Sequence, residues 1–186
     1  MIHRYDDIPE LFYSEETEEP FRSCVDCGCS LLAGELDYSI QKMFVRDEAV
    51  FEYALCRACT ERLREELSQE TMLAYQSFLF STADLSNRIE LMQDPEAHEF
   101  PEWVESCLVC HKPRSECHRF SISGMFSGAS LVLAEFPAMV CDDCEQEMGH
   151  LTSKETQDRW NRFVEDNFDG PPGVEADSPY SQPLLF

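Results

Sequence analysis

The cysteines constrain this chain more than any other feature. Eight of its ten fall into four C-x-x-C pairs, Cys24/Cys27, Cys56/Cys59, Cys107/Cys110 and Cys141/Cys144. The first two pairs are separated by 28 residues and the last two by 30, so the chain is written twice. The copying extends past cysteine. Glu70 and Thr71 follow Cys59 at the same distances as Glu155 and Thr156 follow Cys144. Further on, Tyr75 matches Trp160 and Phe78 matches Phe163. The start Met1-Ile2-His3-Arg4-Tyr5-Asp6-Asp7 has no signal-peptide pattern, so a cytoplasmic protein with reduced thiols is expected. Cysteines of that kind are expected to hold metal rather than a disulfide framework.

Between the pairs each unit reads as strand, turn, strand. Tyr38–Val45 is followed by Arg46-Asp47-Glu48 and then Ala49–Leu55; Phe120–Phe126 is followed by Ser127-Gly128 and an apolar run over Ser130–Phe136. After the second pair the pattern turns helical, over Cys56–Leu67 and Cys141–Met148. A second helix follows in each unit. Ser68 is the expected N-cap in the first, and Thr152-Ser153-Lys154-Glu155 fits a T-x-x-E capping box in the second. Leu73, Tyr75, Phe78 and Leu79, like Trp160, Phe163 and Val164, form apolar stripes expected to be core.

Knuckle, hairpin, then C-x-x-C opening a helix is an order that resembles the treble-clef zinc fingers. It is nearest in pattern to the zinc-binding domain of the ClpX unfoldase. The resemblance rests on Cys24-Val25-Asp26-Cys27-Gly28 with Cys56-Arg57-Ala58-Cys59, and on Cys107-Leu108-Val109-Cys110 with Val140-Cys141-Asp142-Asp143-Cys144. It implies a zinc fold and nothing about ATP. The expected fold is therefore α+β, with two duplicated treble-clef-like zinc modules (knuckle, β-hairpin, helix), each followed by a second helix. The expected divisions are an acidic and aromatic N-terminal arm over 1–23, module 1 over 24–93, a linker over 94–101, module 2 over 102–168 and a mobile tail over 169–186.

Zinc takes four soft ligands in a tetrahedron, and two C-x-x-C pairs supply them. The expected cofactors are two structural Zn2+ ions, one on Cys24, Cys27, Cys56 and Cys59, the other on Cys107, Cys110, Cys141 and Cys144. A pair opening a helix also gains thiolate character from free amides and the helix dipole. The same arrangement serves thioredoxin-type redox chemistry, but Asp142-Asp143 would oppose a nucleophilic thiolate there, and redox work needs no upstream partner pair. Cys29 and Cys117 occupy non-equivalent positions and are expected to be small buried residues or free thiols. His111 and His118 flank cysteines in sets already complete.

Charge and motif content narrow the function. With 37 Asp+Glu against 14 Lys+Arg the formal net charge is −23, which disfavours phosphate contacts with nucleic acid and adhesion to an anionic membrane. There is no H-E-x-x-H, Gly-rich phosphate loop or G-x-S-x-G, so no catalytic residues are expected. After Phe168, Asp169-Gly170-Pro171-Pro172-Gly173 cannot propagate a helix. The chain then reads Tyr180-Ser181-Gln182-Pro183-Leu184-Leu185-Phe186, in which Gln182-x-x-Leu185-Phe186 resembles the peptide by which bacterial polymerases and repair proteins bind the sliding clamp. That resemblance implies partner binding through Gln182, Leu184, Leu185 and Phe186. The expected function is a non-catalytic, zinc-stabilised interaction or adaptor protein of the bacterial cytoplasm. Two alternatives stand beside it: an acidic inhibitor or DNA mimic of a basic nucleic-acid enzyme, and a thiol redox switch.

Overall fold

The computed structural model describes residues 3–5, 7–34, 36–82, 86–94, 99–133 and 136–168. The fold is mixed α and β. Its strands are β1 (His3–Tyr5), β2 (Asp37–Val45), β3 (Glu48–Cys56), β4 (Arg119–Ser127), β5 (Ser130–Leu133) and β6 (Ala138–Cys141). Its helices are α1 (Arg57–Glu65), α2 (Gln69–Thr82), α3 (Ser86–Gln93), α4 (Asp142–His150) and α5 (Lys154–Asn167). One antiparallel sheet runs β1-β5-β4-β2-β3, and β6 joins β4 beside β5.

The two halves of the chain meet in the middle of this sheet. β2 pairs with β4 along nine residues, from Asp37↔Ser127 to Val45↔Arg119, with Gln41 opposite Ser123 at the centre. The outer strands repeat the same register. Cys56 lies opposite Tyr38 and Cys141 opposite Phe120; Ala54 lies opposite Ile40 and Met139 opposite Ile122. Tyr38 and Phe120 are 82 residues apart, whereas Cys56 and Cys141 are 85 apart. The three extra residues fall between β5 and β6, where the second half breaks what is one continuous strand, β3, in the first. The apolar run Ser130–Phe136 is thus not a single strand: β5 ends at Leu133, and Pro137, which has no N–H to give a ladder, precedes β6.

A second reciprocal contact joins the helices. The Ser68 amide donates to Thr156 Oγ1 at 2.9 Å, and the Ser153 amide donates to Thr71 Oγ1 at 2.9 Å. Each serine also accepts from its own helix, Thr71 N at 3.2 Å and Thr156 N at 3.3 Å, and the two hydroxyls lie 2.7 Å apart. These are N-cap hydrogen bonds, shared crosswise so that each helix start satisfies the other. The cap of α5 is Ser153 and not Thr152; Thr152 instead hydrogen-bonds the Tyr75 hydroxyl at 2.6 Å.

Apolar packing interleaves the halves as well. Tyr53 of β3 meets Trp160, Phe163 and Phe168 from the second half, with ring centroids 6.0–6.2 Å apart. Phe44 stacks on Phe120 across the central pair at 5.0 Å. Phe12, from the acidic segment before the first cysteine, is fully buried against Phe126 and Phe100. Its ring lies on Gly124, where an added Cβ would come within 2.7 Å of Phe12 Cζ. That segment is further held by Lys42, 1 % exposed, whose Nζ donates to Tyr13 O at 2.6 Å and Glu15 at 2.8 Å and pairs with Glu52 at 3.2 Å.

Removing one shared cap, Ser68→Ala or Ser153→Ala, is expected to cost about 1 kcal/mol in denaturant unfolding. Because the two hydroxyls contact each other, the double variant should lose measurably less than twice that. Strict additivity would show that the caps act independently.

Candidate metal centres

Each cysteine cluster is assembled from a backbone turn and a helix start. In the first, Gly28 N donates to Cys24 O and Cys24 N to Cys29 O, both at 2.9 Å, with Gly28 at φ 70°. In the second, His111 N donates to Cys107 O and Cys107 N to Lys112 O, also at 2.9 Å, with His111 at φ 58°. The left-handed residue is what folds the knuckle back on itself. Each knuckle is fixed to the strand ahead of the helix by one more bond, Val25 N to Ala54 O at 3.0 Å and Leu108 N to Met139 O at 2.8 Å. Cys56 and Cys141 then stand as the N-cap residues of α1 and α4.

Two tetra-cysteine groups result, and both could hold a metal ion. The sulfurs of Cys107, Cys110, Cys141 and Cys144 lie within 4.8 Å of one another, as do those of Cys24, Cys27, Cys29 and Cys56. Cys110 and Cys141 Sγ are 3.6 Å apart, and Cys27 and Cys56 Sγ are 3.7 Å apart. A tetrahedral ion with metal–sulfur bonds of about 2.3 Å requires sulfur–sulfur edges of about 3.8 Å. The donor set therefore fits a soft divalent ion in size and chemistry.

The second group is the one expected from spacing. In the first, Cys29 joins the mutually close set. Cys59, the fourth ligand expected from spacing, is not in that set; it is buried nearby, 3.8 Å from Arg62 Nη2, its thiol pushed up by burial first and then by Asp26 and the neighbouring cysteines. Five thiols thus converge on the first centre. Cys29 was missed because the repeat assigns it no counterpart; the signal for it was Gly28, whose turn brings the following sulfur back toward Cys27. Cys117 lies outside both groups, buried, with its thiol donating to Pro113 O at 3.4 Å.

Without a cation the thiols share charge unevenly. Hydrogen bonds from Cys141 and Cys144 hold Cys107 far below the ordinary thiol range, and the Cys107 thiolate in turn pushes Cys144 up and Cys141 to about 12. In the first group a Cys29 backbone hydrogen bond lowers Cys27 to about 6, and the Cys27 thiolate raises Cys29 to about 12. Amide donors, Val109 N and Cys141 N, both 3.4 Å from Cys107 Sγ, favour the charged form further. Only a bound cation lets four neighbouring sulfurs ionise together. Behind the second group Glu145 is buried, and desolvation lifts its carboxyl to about 7 against the pull of Ser121 and Arg119.

A cleft of about 640 Å³ is lined by Phe44, Arg46, Arg114, Cys117 and Phe120 among others and takes in none of the clustered cysteines. The expected partner-binding residues Gln182, Leu184, Leu185 and Phe186 lie outside the described residues. Among the described residues no helix is long and apolar enough to cross a membrane. Compared with known protein families, with curated proteins and with solved structures, the chain matches none.

Metal analysis of the purified protein is expected to give two ions per chain. The fifth thiol sets the two centres apart. Cys29→Ser and Cys59→Ser should each keep two ions after dialysis against a mild chelator, and the Cys29→Ser/Cys59→Ser double variant one. At the second centre, which has no spare, Cys144→Ser alone should drop the count to one. Loss of metal from Cys29→Ser or Cys59→Ser singly would show that the fifth sulfur is not interchangeable.

Proposed function

We propose that this chain is a non-catalytic interaction protein whose two halves are each pinned by a structural zinc ion. What supports this reading is the donor count: each group supplies four sulfurs, enough to fill a tetrahedron and leave no coordination position for a substrate. In this reading Cys24, Cys27, Cys56 and Cys59, with Cys29 beside them, serve one ion, and Cys107, Cys110, Cys141 and Cys144 the other. The order of knuckle, paired strands and cysteine-capped helix supports the likeness to treble-clef modules. Zinc in such a module replaces core that about 60 residues cannot build alone.

The adaptor role falls to the C-terminal peptide. Gln182 supplies a polar anchor, and Leu184, Leu185 and Phe186 an apolar plug, for which a bacterial sliding clamp is the candidate partner. Short peptides that order on binding reach micromolar affinity, about 8 kcal/mol. Truncating two buried apolar side chains removes roughly 3–5 kcal/mol of that. Leu185→Ala/Phe186→Ala should therefore abolish binding to purified clamp in a fluorescence titration while metal content stays at its original value. Equal binding by the double variant, or no binding by either protein, would rule out the clamp.

A specific observation also favours the acidic-mimic reading. Much of the basic complement is already engaged at home: Arg57 pairs with Glu61 and Asp37, Arg62 with Asp26, Lys112 with Asp143 and Arg159 with Glu155. The surplus carboxylates face solvent. Binding through them would weaken steeply with salt, whereas an apolar plug would not.

A further inference from the structure

The duplication supplies an internal control for every exposed position. The crosswise caps align Ser68 with Ser153 and Thr71 with Thr156, which fixes the offset between α2 and α5 at 85 residues. At that offset Tyr75 and Trp160, both buried, occupy equivalent places facing the core. The outward face differs. Where α5 carries exposed Asp158 and Glu165, α2 carries Leu73, 58 % exposed, and Phe80, 86 % exposed. The two lie seven residues apart, two turns along one stripe. α3 adds Ile89, 54 % exposed, and Met92, 40 % exposed, three residues apart. Together the four side chains expose on the order of 400 Å² of apolar surface across two consecutive helices, an amount typical of contact sites.

The charges around this patch say what covers it. Within α2 and α3 the charged side chains reaching solvent are acidic, Glu70 and Glu90, and Asp94 follows directly. Arg88, the cation of these helices, is buried and donates to Pro137 O at 2.8 Å and Trp103 O at 3.0 Å. Helices that expose apolar side chains and carry only carboxylates to solvent, on a chain of net charge −23, repel a second copy of themselves and attract cations. We propose that α2 and α3 form a docking face for an amphipathic helix with basic flanks on a partner protein. The partner's apolar residues, spaced three and four apart, lie along Leu73 and Phe80, and its Lys or Arg flanks face Glu70, Glu90 and Asp94. The proposal does not rest on the C-terminal peptide.

The test uses the intact chain and a labelled synthetic peptide of about 18 residues, built of Leu and Lys with leucines at helical spacing, beside a control in which Gln replaces every Leu. Leu73→Asp/Phe80→Glu installs the residues that α5 carries at the equivalent positions. It adds two negative charges, so attraction by charge alone would tighten binding of the basic peptide. Docking on this face predicts the opposite, a loss of about tenfold or more, with the Gln control binding weakly to both proteins. Unchanged or tighter binding by the variant overturns the proposal, and so does failure of the native chain to bind the Leu–Lys peptide. Sedimentation showing a native dimer that the variant converts to monomer overturns it too, since the face would then belong to a second copy. Should the double variant misfold, Phe80→Gln gives the same reading, because a side chain so exposed supports no packing. The variants leave residues 169–186 intact, so losing clamp binding and losing peptide binding are separate outcomes.

Discussion

The pairing of β2 with β4 is the joint on which the rest of the molecule hangs. Each half brings a knuckle, a few short strands and a cysteine-capped helix, too little to enclose a core. Nine register pairs between β2 and β4 turn two short ribbons into one sheet with a common interior. Phe44 on Phe120 and Tyr38 on Phe126 are packed because that register holds. With the sheet continuous, α5 of the second half can lie on Tyr53 of the first, and the starts of α2 and α5 can exchange hydrogen bonds. A shift of one residue in that register would turn both faces over and dismantle all of these contacts.

The cysteine clusters sit where this frame would otherwise be weakest. A strand passing into a helix leaves unpaired amides, and in both halves the transition residue is a cysteine, Cys56 or Cys141. The knuckle brings two further sulfurs to that point through a single backbone bond to the preceding strand. Repulsion among thiolates opposes closing such a cluster, and a soft cation reverses its sign. The fifth thiol gives the first centre more donors than one tetrahedron uses, a difference between otherwise matched halves.

Legibility from sequence followed locality. The hairpin turns, the helices opened by the second C-x-x-C pairs and the second cluster are written within a few residues of one another and could be read directly. The β2–β4 joint could not, because alternating apolar residues state that a strand has a buried face without naming its neighbour. The segment before Cys24 reads as an acidic and aromatic arm, and its apolar residues Ile8 and Phe12 are buried in the common core. The matching clue was Gly124, an isolated glycine inside a strand pattern, which marks a close approach by another group. Thr152 looked like the cap because the motif was scored on its own helix, whereas the actual cap, Ser153, is fixed by a residue 85 positions away. Of the α2 stripe expected as core, Tyr75 is buried and Phe78 and Leu79 pack against the core, but Leu73 faces outward, as does Phe80, which the pattern does not include.

The central joint also has a consequence during synthesis. β2 leaves the ribosome well before β4 exists, so for that interval it has β3 on one side and an open row of amides and carbonyls on the other. The partner it will receive is a near copy of itself, lying antiparallel. The edge that waits for β4 is therefore also suited to β2 of another nascent chain, and two first halves on neighbouring ribosomes can form between molecules the joint that the finished protein forms within one. Tandem duplication places the correct partner on the same polypeptide, where its effective concentration exceeds that of any competitor.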